Sequence, residues 1–356
     1  MQHFKINKTK VGYKYPTYFI ADIAANHDGD LKKAIALIHA AKEAGANAAK
    51  FQHFNANTIV SDKSFVSFVK KISHQSKWKK SVHEVYSDAS INLDWTKTLY
   101  KECKKLGIDF FTSPYSTDLV DHVNQYVQAY KIGSGDITYT DIIKYIAKKK
   151  KPIILATGAS NLKDVERAIK CVKRYNKNIC LMQCNTNYTA SLENFKYINL
   201  NVLLKFKQIF KNVVLGLSDH TPGHATVLGA ITLGARVIEK HLTLSNKLEG
   251  PDHKFSMTPK TWRDMVDRSR ELEHSLGTQI KKIEKNELET VIVQRRSLHL
   301  LKNLKKNQKI NIKKDIIALR PSPNGAVQPY EASKIKFKKL KKDKFKGDLI
   351  FWKDLK

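Results

Sequence analysis

Between residues 18 and 241, the chain repeats one pattern eight times: a short β-branched or aromatic run, then a stretch with helical periodicity. Such alternation predicts parallel strands joined by helices, and eight units favour a closed (β/α)8 barrel of the TIM type, an α/β fold. An open doubly wound sheet is the alternative, but it usually has a glycine-rich turn after its first strand, where residues 24–30 contain one glycine. The strands are predicted at 18–24, 46–52, 108–113, 129–134, 152–157, 179–184, 213–218 and 236–241.

Two segments depart from this alternation. Residues 55–93 form a long excursion after the second strand, which we interpret either as a lid or substrate wall or as a decorated loop with its own short helix. Near Leu288 the pattern changes to short strand-like pieces at 291–293, 297–301, 309–312, 316–319 and 349–352. We therefore predict a barrel domain over residues 1–287 and a small β-rich domain over 288–356.

The formal net charge of +31 raises the question of an anionic partner. Only nine of the 64 basic residues are arginine, the side chain that phosphate and base recognition favours. We interpret the scattered lysines as solvated faces that draw in an anionic small molecule, and we expect no nucleic-acid partner. The rival interpretation is a basic nucleic-acid-binding protein, for which residues 334–346, with Phe337 and Phe345, offer the candidate surface.

Missing signals set further expectations. The first residues lack the apolar core of a secretory leader, and no run approaches the roughly 18 apolar residues of a membrane span. The four cysteines show no CxxC spacing. We therefore expect a cytoplasmic protein with reduced thiols and no membrane partner.

Polar residues cluster where the predicted strands end, and in a (β/α)8 barrel these ends meet at one mouth. Lys50 and Lys131 lie on predicted strands, and Thr112, Ser134 and Ser218 add hydroxyl groups at other strand ends. Each residue alone has a plain explanation, such as a lysine paired with a carboxylate. Together they predict a site for a phosphate or carboxylate group, because charge-assisted hydrogen bonds suit such an anion.

His220 and His241 follow the seventh and eighth predicted strands, which are neighbours in the barrel. A buried histidine is more often a hydrogen-bonded core residue than a ligand. Two adjacent imidazoles with carboxylates nearby nonetheless suit Mn²⁺, Mg²⁺, Co²⁺ or Zn²⁺ with open coordination positions. An anion site beside such a metal favours carbon–carbon bond chemistry or phosphoryl chemistry.

A set of segments spans almost the whole chain in order: FIADIAANHDGD, AGANAAKFQHF, FFTSPY, YKIGSGDI, ILATGAS, GLSDHT, VIEKHLT, GPDHKFSMTP and, in the tail, RRSL and ALRPSPNGA. These segments resemble the sialic acid synthase family, whose members are transferases that make nonulosonic acids from phosphoenolpyruvate. The resemblance implies a barrel followed by a C-terminal antifreeze-like (SAF) domain. It also implies a domain-swapped homodimer.

The resemblance assigns roles to individual residues. It implies that phosphoenolpyruvate is bound by Lys50, Thr112, Lys131, Ser134, Thr186 and Ser218. His220 and His241 match the metal ligands, usually for Mn²⁺, with Mg²⁺ or Co²⁺ as alternatives. The amino-sugar positions are matched by Gln52, Tyr188, Asp252 and Arg320, the last on the small domain of a second copy. Asp22 and Asp136 are the candidates for handling the proton of an attacking water.

Some positions depart from the family pattern. Asp22 and Asp136 stand where the family usually has Glu, Ala156 replaces a usual Ser, and either Thr186 or Asn187 could fill one polar position. The expected acceptor is N-acetylmannosamine or a related amino sugar. The alternative is a 2,4-diacetamido-trideoxy hexose, the precursor of legionaminic or pseudaminic acid. An octulosonate synthase is less favoured because those barrels lack the SAF tail, and intact lysines and histidines disfavour an inactive sugar-binding relative.

Overall fold

A computed structural model describes residues 3–69, 75 and 78–356 of the chain. Its strands are β1 (His3–Ile6), β2 (Thr9–Gly12), β3 (Tyr18–Asp22), β4 (Ala48–His53), β5 (Asp109–Pro114), β6 (Tyr130–Ile132), β7 (Ile153–Ala156), β8 (Ile179–Cys184), β9 (Val214–Asp219), β10 (Val237–His241), β11 (Ser297–Leu300) and β12 (Ile316–Leu319). Within the described residues, β3 to β10 are parallel and form a closed barrel, in which β10 pairs with β3. This architecture confirms the predicted eight-stranded barrel.

An antiparallel hairpin of β1 and β2 precedes the barrel and was not predicted. Its buried side chains Phe4, Ile6 and Val11 pack in one apolar cluster with inward-facing residues near the start of the barrel strands, such as Tyr18 and Val237. The hairpin therefore closes the N-terminal end of the barrel. Its strands are only four residues long, which is too short for a clear period-two pattern.

Helices cover the outer face of the barrel because each presents an apolar stripe to the strands. Asp30 begins the first helix by accepting hydrogen bonds from the backbone amides of Lys32 and Lys33. Three of these helices lie within stretches of helical periodicity in the sequence, at 30–44, 161–175 and 222–233. The helices are α1 (Leu31–Glu43), α2 (Ala56–Ile59), α3 (Asp62–Ser64), α4 (Val82–Ala89), α5 (Trp95–Leu106), α6 (Thr117–Val123), α7 (Thr140–Lys148), α8 (Leu162–Lys173), α9 (Val202–Ile209), α10 (Ala225–Thr232), α11 (Pro259–Leu276) and α12 (Leu288–Gln294).

The long excursion after β4 contains the short helices α2, α3 and α4, with a π-helical turn at Phe65–Val69. Helix α4 begins with a capping box, in which Ser81 and Glu84 each accept a backbone hydrogen bond from the other. Part of the excursion, residues 70–74, 76 and 77, lies outside the described residues.

The chain divides into two compact units, Met1–Gly277 and Thr278–Lys356, so the division falls before the boundary predicted near Leu288. In the second unit, β11 and β12 pair antiparallel and confirm the strands predicted at 297–301 and 316–319. Leu298, Leu340 and Ile350 belong to its apolar core. The pieces predicted at 309–312 and 349–352 form isolated bridges.

The strand predicted at 291–293 is wrong, because these residues belong to α12. Their β-branched side chains favour a strand in isolation. Glu289 lies in the first turn of α12, where a carboxylate interacts favourably with the helix dipole. The helical neighbours therefore outweigh the local preference.

Two general expectations can be compared with the described part of the chain. Cys103, Cys171, Cys180 and Cys184 are all free thiols. Among the described helices, none combines the length and apolar character that crossing a membrane requires.

Candidate active site

The carboxyl ends of the barrel strands surround a cavity of about 410 Å³. Strands β3, β4, β5, β6, β8, β9 and β10, with the loops that follow them, contribute side chains to it. Its polar lining consists of Asp22, Lys50, Gln52, Ser113, Tyr115, Lys131, Ser134, Asp136, Cys184, Tyr188, Ser218, His220, Glu239, His241 and Asp252.

Most residues that the sequence predicts for the site are brought together in this cavity. The period of two along a strand explains why, because residues two positions apart point to the same face. Lys50 and Gln52 lie two apart on β4, and Ser218 and His220 lie two apart at the end of β9. The predicted residues that line the cavity are Asp22, Lys50, Gln52, Lys131, Ser134, Asp136, Tyr188, Ser218, His220, His241 and Asp252.

Thr112 is an exception, and the expectation that it faces the mouth is wrong. Its side chain points to the outer face of β5, where Oγ1 lies 2.7 Å from Nδ1 of His53 and donates to the carbonyl oxygen of Phe51 at 3.1 Å. The period of two places the next residue, Ser113, on the inner face, and Ser113 lines the cavity. The hydroxyl predicted at this strand end is therefore supplied one residue later.

Two further predicted residues are not part of the cavity lining. Thr186 is half-buried in the loop after β8, where a Cβ added to Gly158 would stand 2.5 Å from its Cγ2. Arg320 belongs to the second compact unit and is exposed there. Within that unit, its Nε donates a hydrogen bond to the carbonyl oxygen of Gln294 at 2.7 Å.

Two buried lysines and two buried carboxylates form one ion-pair network in the cavity. Lys50 Nζ lies 2.6 Å from Oδ2 of Asp22 and 4.0 Å from Oε1 of Glu239. Lys131 Nζ lies 3.1 Å from the same Glu239 oxygen, to which Ser218 Oγ donates at 3.3 Å. Burial disfavours the charge on Lys50, but the carboxylates of Asp22 and Glu239 outweigh this effect and raise the pKa of its ammonium group.

Glu239 joins the two lysines, although sequence reasoning assigned it no role. Its Oε2 atom is buried and has no hydrogen-bond partner among the described residues. The period of two was the signal that could have identified it, because Glu239 precedes His241 by two positions on β10.

The two predicted histidines lie side by side, with their ring centroids 5.3 Å apart. His220 Nδ1 lies 2.9 Å from the carbonyl oxygen of Asn185. Because a carbonyl only accepts, this nitrogen carries the proton and Nε2 keeps its lone pair. Phe255 packs against both rings, with centroids 5.8 Å from His220 and 4.9 Å from His241.

These imidazoles fit a divalent metal. Burial lowers the pKa of His220, and burial together with His220 and Lys50 lowers that of His241 well below its usual value, so both rings are neutral near pH 7. His241 Nδ1 is buried without a hydrogen-bond partner among the described residues. In the same residues, no three His, Cys, Asp or Glu side chains form a closed metal cage. A metal held here would have the two imidazoles as ligands and open coordination positions for water or substrate.

Two further carboxyl groups of the cavity have raised pKa values. Burial raises the pKa of Asp136 to about 6. Burial also raises the pKa of Asp252 to about 7, although Asp252 Oδ2 accepts a hydrogen bond from the backbone amide of Ala25 at 3.2 Å. Carboxyl groups with such values can exchange protons near neutral pH.

The excursion after β4 supplies an apolar wall to the cavity. Ile59 follows from α2, and Val85, Tyr86 and Ala89 from α4, while Trp78 lies between these helices. The described residues of the excursion therefore include short helices, as the second interpretation predicts, and some of them line the cavity, while a role as lid or substrate wall stays a prediction. Phe54 and Pro251 extend the same wall.

The arrangement combines three chemical environments in one cavity. Lysines and hydroxyl groups are suited to an anion, neutral imidazoles to a metal, and an apolar wall to alkyl or acyl groups. The carboxyl groups of Asp136 and Asp252, with pKa values of about 6 and 7, line the same cavity. Such a site can hold an anionic substrate beside a polarised carbonyl group.

The sequence and the fold were also compared with known proteins. The profile described as the NeuB family matches residues 37–281. A protein of Campylobacter jejuni named N,N'-diacetyllegionaminic acid synthase is 35% identical over 92% of this chain and 98% of its own. A protein of the same name from Legionella pneumophila is 34% identical over 99% and 98% of the two chains. A crystal structure of N-acetylneuraminic acid synthetase from Leptospira borgpetersenii superposes with a TM-score of 0.70, at 26% identity over 82% of this chain and 95% of that chain.

Proposed function

This chain belongs to the NeuB family of nonulosonic acid synthases, and from that premise we propose that it joins phosphoenolpyruvate to the aldehyde carbon of an N-acyl amino sugar, with release of phosphate. The chain is a transferase that forms a carbon–carbon bond. The observation that carries the choice of substrates is the lysine pair Lys50 and Lys131, which lines the same cavity as the neutral imidazoles of His220 and His241.

Lys50 and Lys131 bind the phosphate and carboxylate groups of phosphoenolpyruvate, with hydroxyl groups from Ser113, Ser134 and Ser218. In the structure both ammonium groups are already paired with buried carboxylates. When the anion binds, the two lysines exchange carboxylate partners for phosphoenolpyruvate. Their ammonium groups are already desolvated and oriented before it arrives. Such prior orientation lowers the cost of bringing the reacting atoms together.

His220 and His241 would hold the divalent metal, which we take to be Mn²⁺, with Mg²⁺ or Co²⁺ as alternatives. When bound, the metal supplies Lewis-acid polarisation of the aldehyde oxygen. Tyr188 packs against His220 at a centroid distance of 4.4 Å and so restricts the orientation of that ring.

C3 of phosphoenolpyruvate forms a bond with the aldehyde carbon of the sugar as the C2–C3 double bond opens. The aldehyde oxygen takes up a proton to become a hydroxyl group, and a water oxygen adds to C2. The bond between C2 and the phosphate oxygen breaks, so the products are the nonulosonic acid and inorganic phosphate. Asp136 accepts the water proton, because its pKa of about 6 leaves it mostly ionised at neutral pH. Asp22 is already engaged by Lys50 and by the backbone amide of Ala24 at 3.1 Å.

As the acceptor we propose a 2,4-diacetamido-trideoxy hexose, the alternative of the two sugars expected from the sequence. This sugar carries two acetyl methyl groups and a methyl group at C6, which are apolar. The wall formed by Ile59, Val85, Ala89 and Pro251 offers apolar contact to such groups. Two similar proteins named N,N'-diacetyllegionaminic acid synthase support the same choice.

N-acetylmannosamine is the second candidate acceptor. Gln52 and Asp252 present polar side chains to the cavity, and these suit the additional hydroxyl groups of this sugar. The two candidates therefore differ in whether the apolar wall or the polar groups contribute more to sugar binding.

A phosphate-release assay tests the proposal. The wild-type protein is incubated with phosphoenolpyruvate, Mn²⁺ and either sugar, and the product mass is determined. Release that is at least tenfold faster with the diacetamido sugar supports the favoured acceptor, whereas faster release with N-acetylmannosamine overturns it. Absence of phosphate release with both sugars contradicts the proposed reaction.

A variant pair locates the acceptor in the cavity. Val85→Ser should raise the KM for the diacetamido sugar several-fold and leave the KM for phosphoenolpyruvate unchanged, because Val85 lies in the apolar wall. Ser87→Ala, at an exposed position of the same helix, is the matched control and should change neither value.

We also propose a homodimer in which Arg320, in a SAF-like second unit, contacts the sugar bound to the other copy. The experiment mixes two inactive variants, Arg320→Ala and His241→Ala, after partial unfolding and refolding together. Recovery of about a quarter of the wild-type activity, from sites that combine both intact residues, supports the exchange. Absence of recovery, when wild-type protein regains activity in the same procedure, contradicts it.

A further inference from the structure

We propose that the buried ion pair of Asp219 and Lys240 fixes the spacing of His220 and His241, and thereby sets the affinity of the site for its divalent metal. This inference rests on the metal site in the proposed function. Asp219 and Lys240 are positioning residues, because neither lines the cavity.

The register of the barrel places this pair directly beside the histidines. Lys240 of β10 lies opposite Asp219 of β9, and Lys240 Nζ donates to Asp219 Oδ2. Each charged residue precedes one histidine in the sequence. Since neighbouring residues on a strand point to opposite faces, the ion pair lies on the outer face and the two imidazoles on the inner face.

The pair also holds the backbone on both sides of His220. Lys240 Nζ donates to the carbonyl oxygen of Thr221 at 2.5 Å. The hydroxyl groups of Thr221 and Thr226 each donate to Asp219 Oδ2 at 2.8 Å. Residues 219 and 221 are thus fixed from β10 and from α10, which leaves His220 little freedom relative to His241.

A contribution to stability alone does not account for this arrangement. Asp219 and Lys240 are 2% and 1% exposed, so both charges have lost their hydration. Buried ion pairs are often replaced by apolar residues without loss of stability. In contrast, residues that orient metal ligands typically change metal affinity by 10–100-fold when they are replaced.

The test is the double variant Asp219→Asn/Lys240→Met, which removes both charges and so leaves no unpaired buried ion. Mn²⁺ affinity is measured by electron paramagnetic resonance of the free ion, and folding by circular dichroism. The expected result is a folded protein whose Mn²⁺ dissociation constant is 10–100-fold higher than in the wild type. An unchanged constant overturns the inference.

The matched control is Lys344→Met/Asp354→Asn, which removes another buried ion pair, with Nζ and Oδ2 2.6 Å apart, in the second unit. It should bind Mn²⁺ within twofold of the wild type, and an equal loss of affinity in both double variants overturns the inference.

If the first double variant does not fold, Thr226→Val removes one hydrogen bond to Asp219 and should still raise the dissociation constant several-fold; no change overturns the inference. A wild-type protein that binds no Mn²⁺ overturns the metal site as well, whereas tight binding by the wild type and the first double variant overturns this inference alone.

Discussion

In the proposed reaction, the environment of Asp136 should set the pH dependence. Its pKa is raised to about 6 by burial. Because it must be ionised to accept a proton, kcat/KM should be constant above this pH and fall about tenfold per unit below it. Asp136→Asn should lower kcat by about 10²–10⁴-fold and remove that acidic limb. The pH profiles of both proteins are compared, and an acidic limb that persists near pH 6 in the variant would assign it to another group.

Two neighbouring residues on β5 offer a second test. Ser113→Ala removes a hydroxyl group from the cavity and should raise the KM for phosphoenolpyruvate about tenfold, the effect of one hydrogen bond to a charged group. Thr112→Val should leave that KM unchanged but lower the unfolding free energy by about 1–3 kcal/mol, because it removes a partner from buried His53. Substrate kinetics and denaturant unfolding are measured for both variants, and the opposite pattern would place Thr112 at the substrate.

The same residues show how much of the site the sequence could predict. Lys50, Lys131, His220 and His241 were identifiable because polar residues at strand ends meet at one mouth. Ser113 was missed, since a one-residue error in register moves a side chain to the opposite face. The sequence pattern could not predict the ion pairs of the site. Which carboxylate bridges the two lysines depends on distances between separate strands.

At the scale of elements, the hairpin of β1 and β2 stabilises the barrel by packing against its N-terminal end. Phe4→Ala should lower the unfolding free energy by roughly 3–5 kcal/mol, because Phe4 is 3% exposed and its removal leaves a cavity. Lys5→Ala, on the exposed face of the same strand, is the control and should have little effect. Denaturant unfolding measures both, and equal stabilities would show that the hairpin is dispensable.

The elements differ in how well the sequence predicts them. The barrel strands alternate with helices through eight repeats, so the order of these strands and helices follows from the sequence. The hairpin and α12 could not be predicted from the sequence. These segments are too short for a clear hydrophobic period, so the surfaces on which they pack determine their structure. Contacts with the barrel interior fix the hairpin.

For the whole molecule, the proposed metal site would couple metal binding to folding. Free Mn²⁺ at 100 times its dissociation constant should raise the unfolding free energy by about 2.7 kcal/mol relative to chelator-treated protein. His241→Ala should lose this stabilisation, whereas His39→Ala, which removes a histidine paired with Glu102 outside the cavity, should retain it. Thermal unfolding with and without metal measures the difference, and equal stabilisation of both variants would exclude His241 as a ligand.

The closed N-terminal end of the barrel also has a kinetic consequence. Phe4, Ile6 and Val11 fill that end, so we expect the proposed substrates to enter the cavity from the strand ends. If phosphoenolpyruvate binds Lys50 and Lys131 as proposed, we expect it to enter before the sugar, and the nonulosonic acid to depart before another turnover begins. Initial-rate measurements should therefore follow an ordered rather than a random sequence of addition.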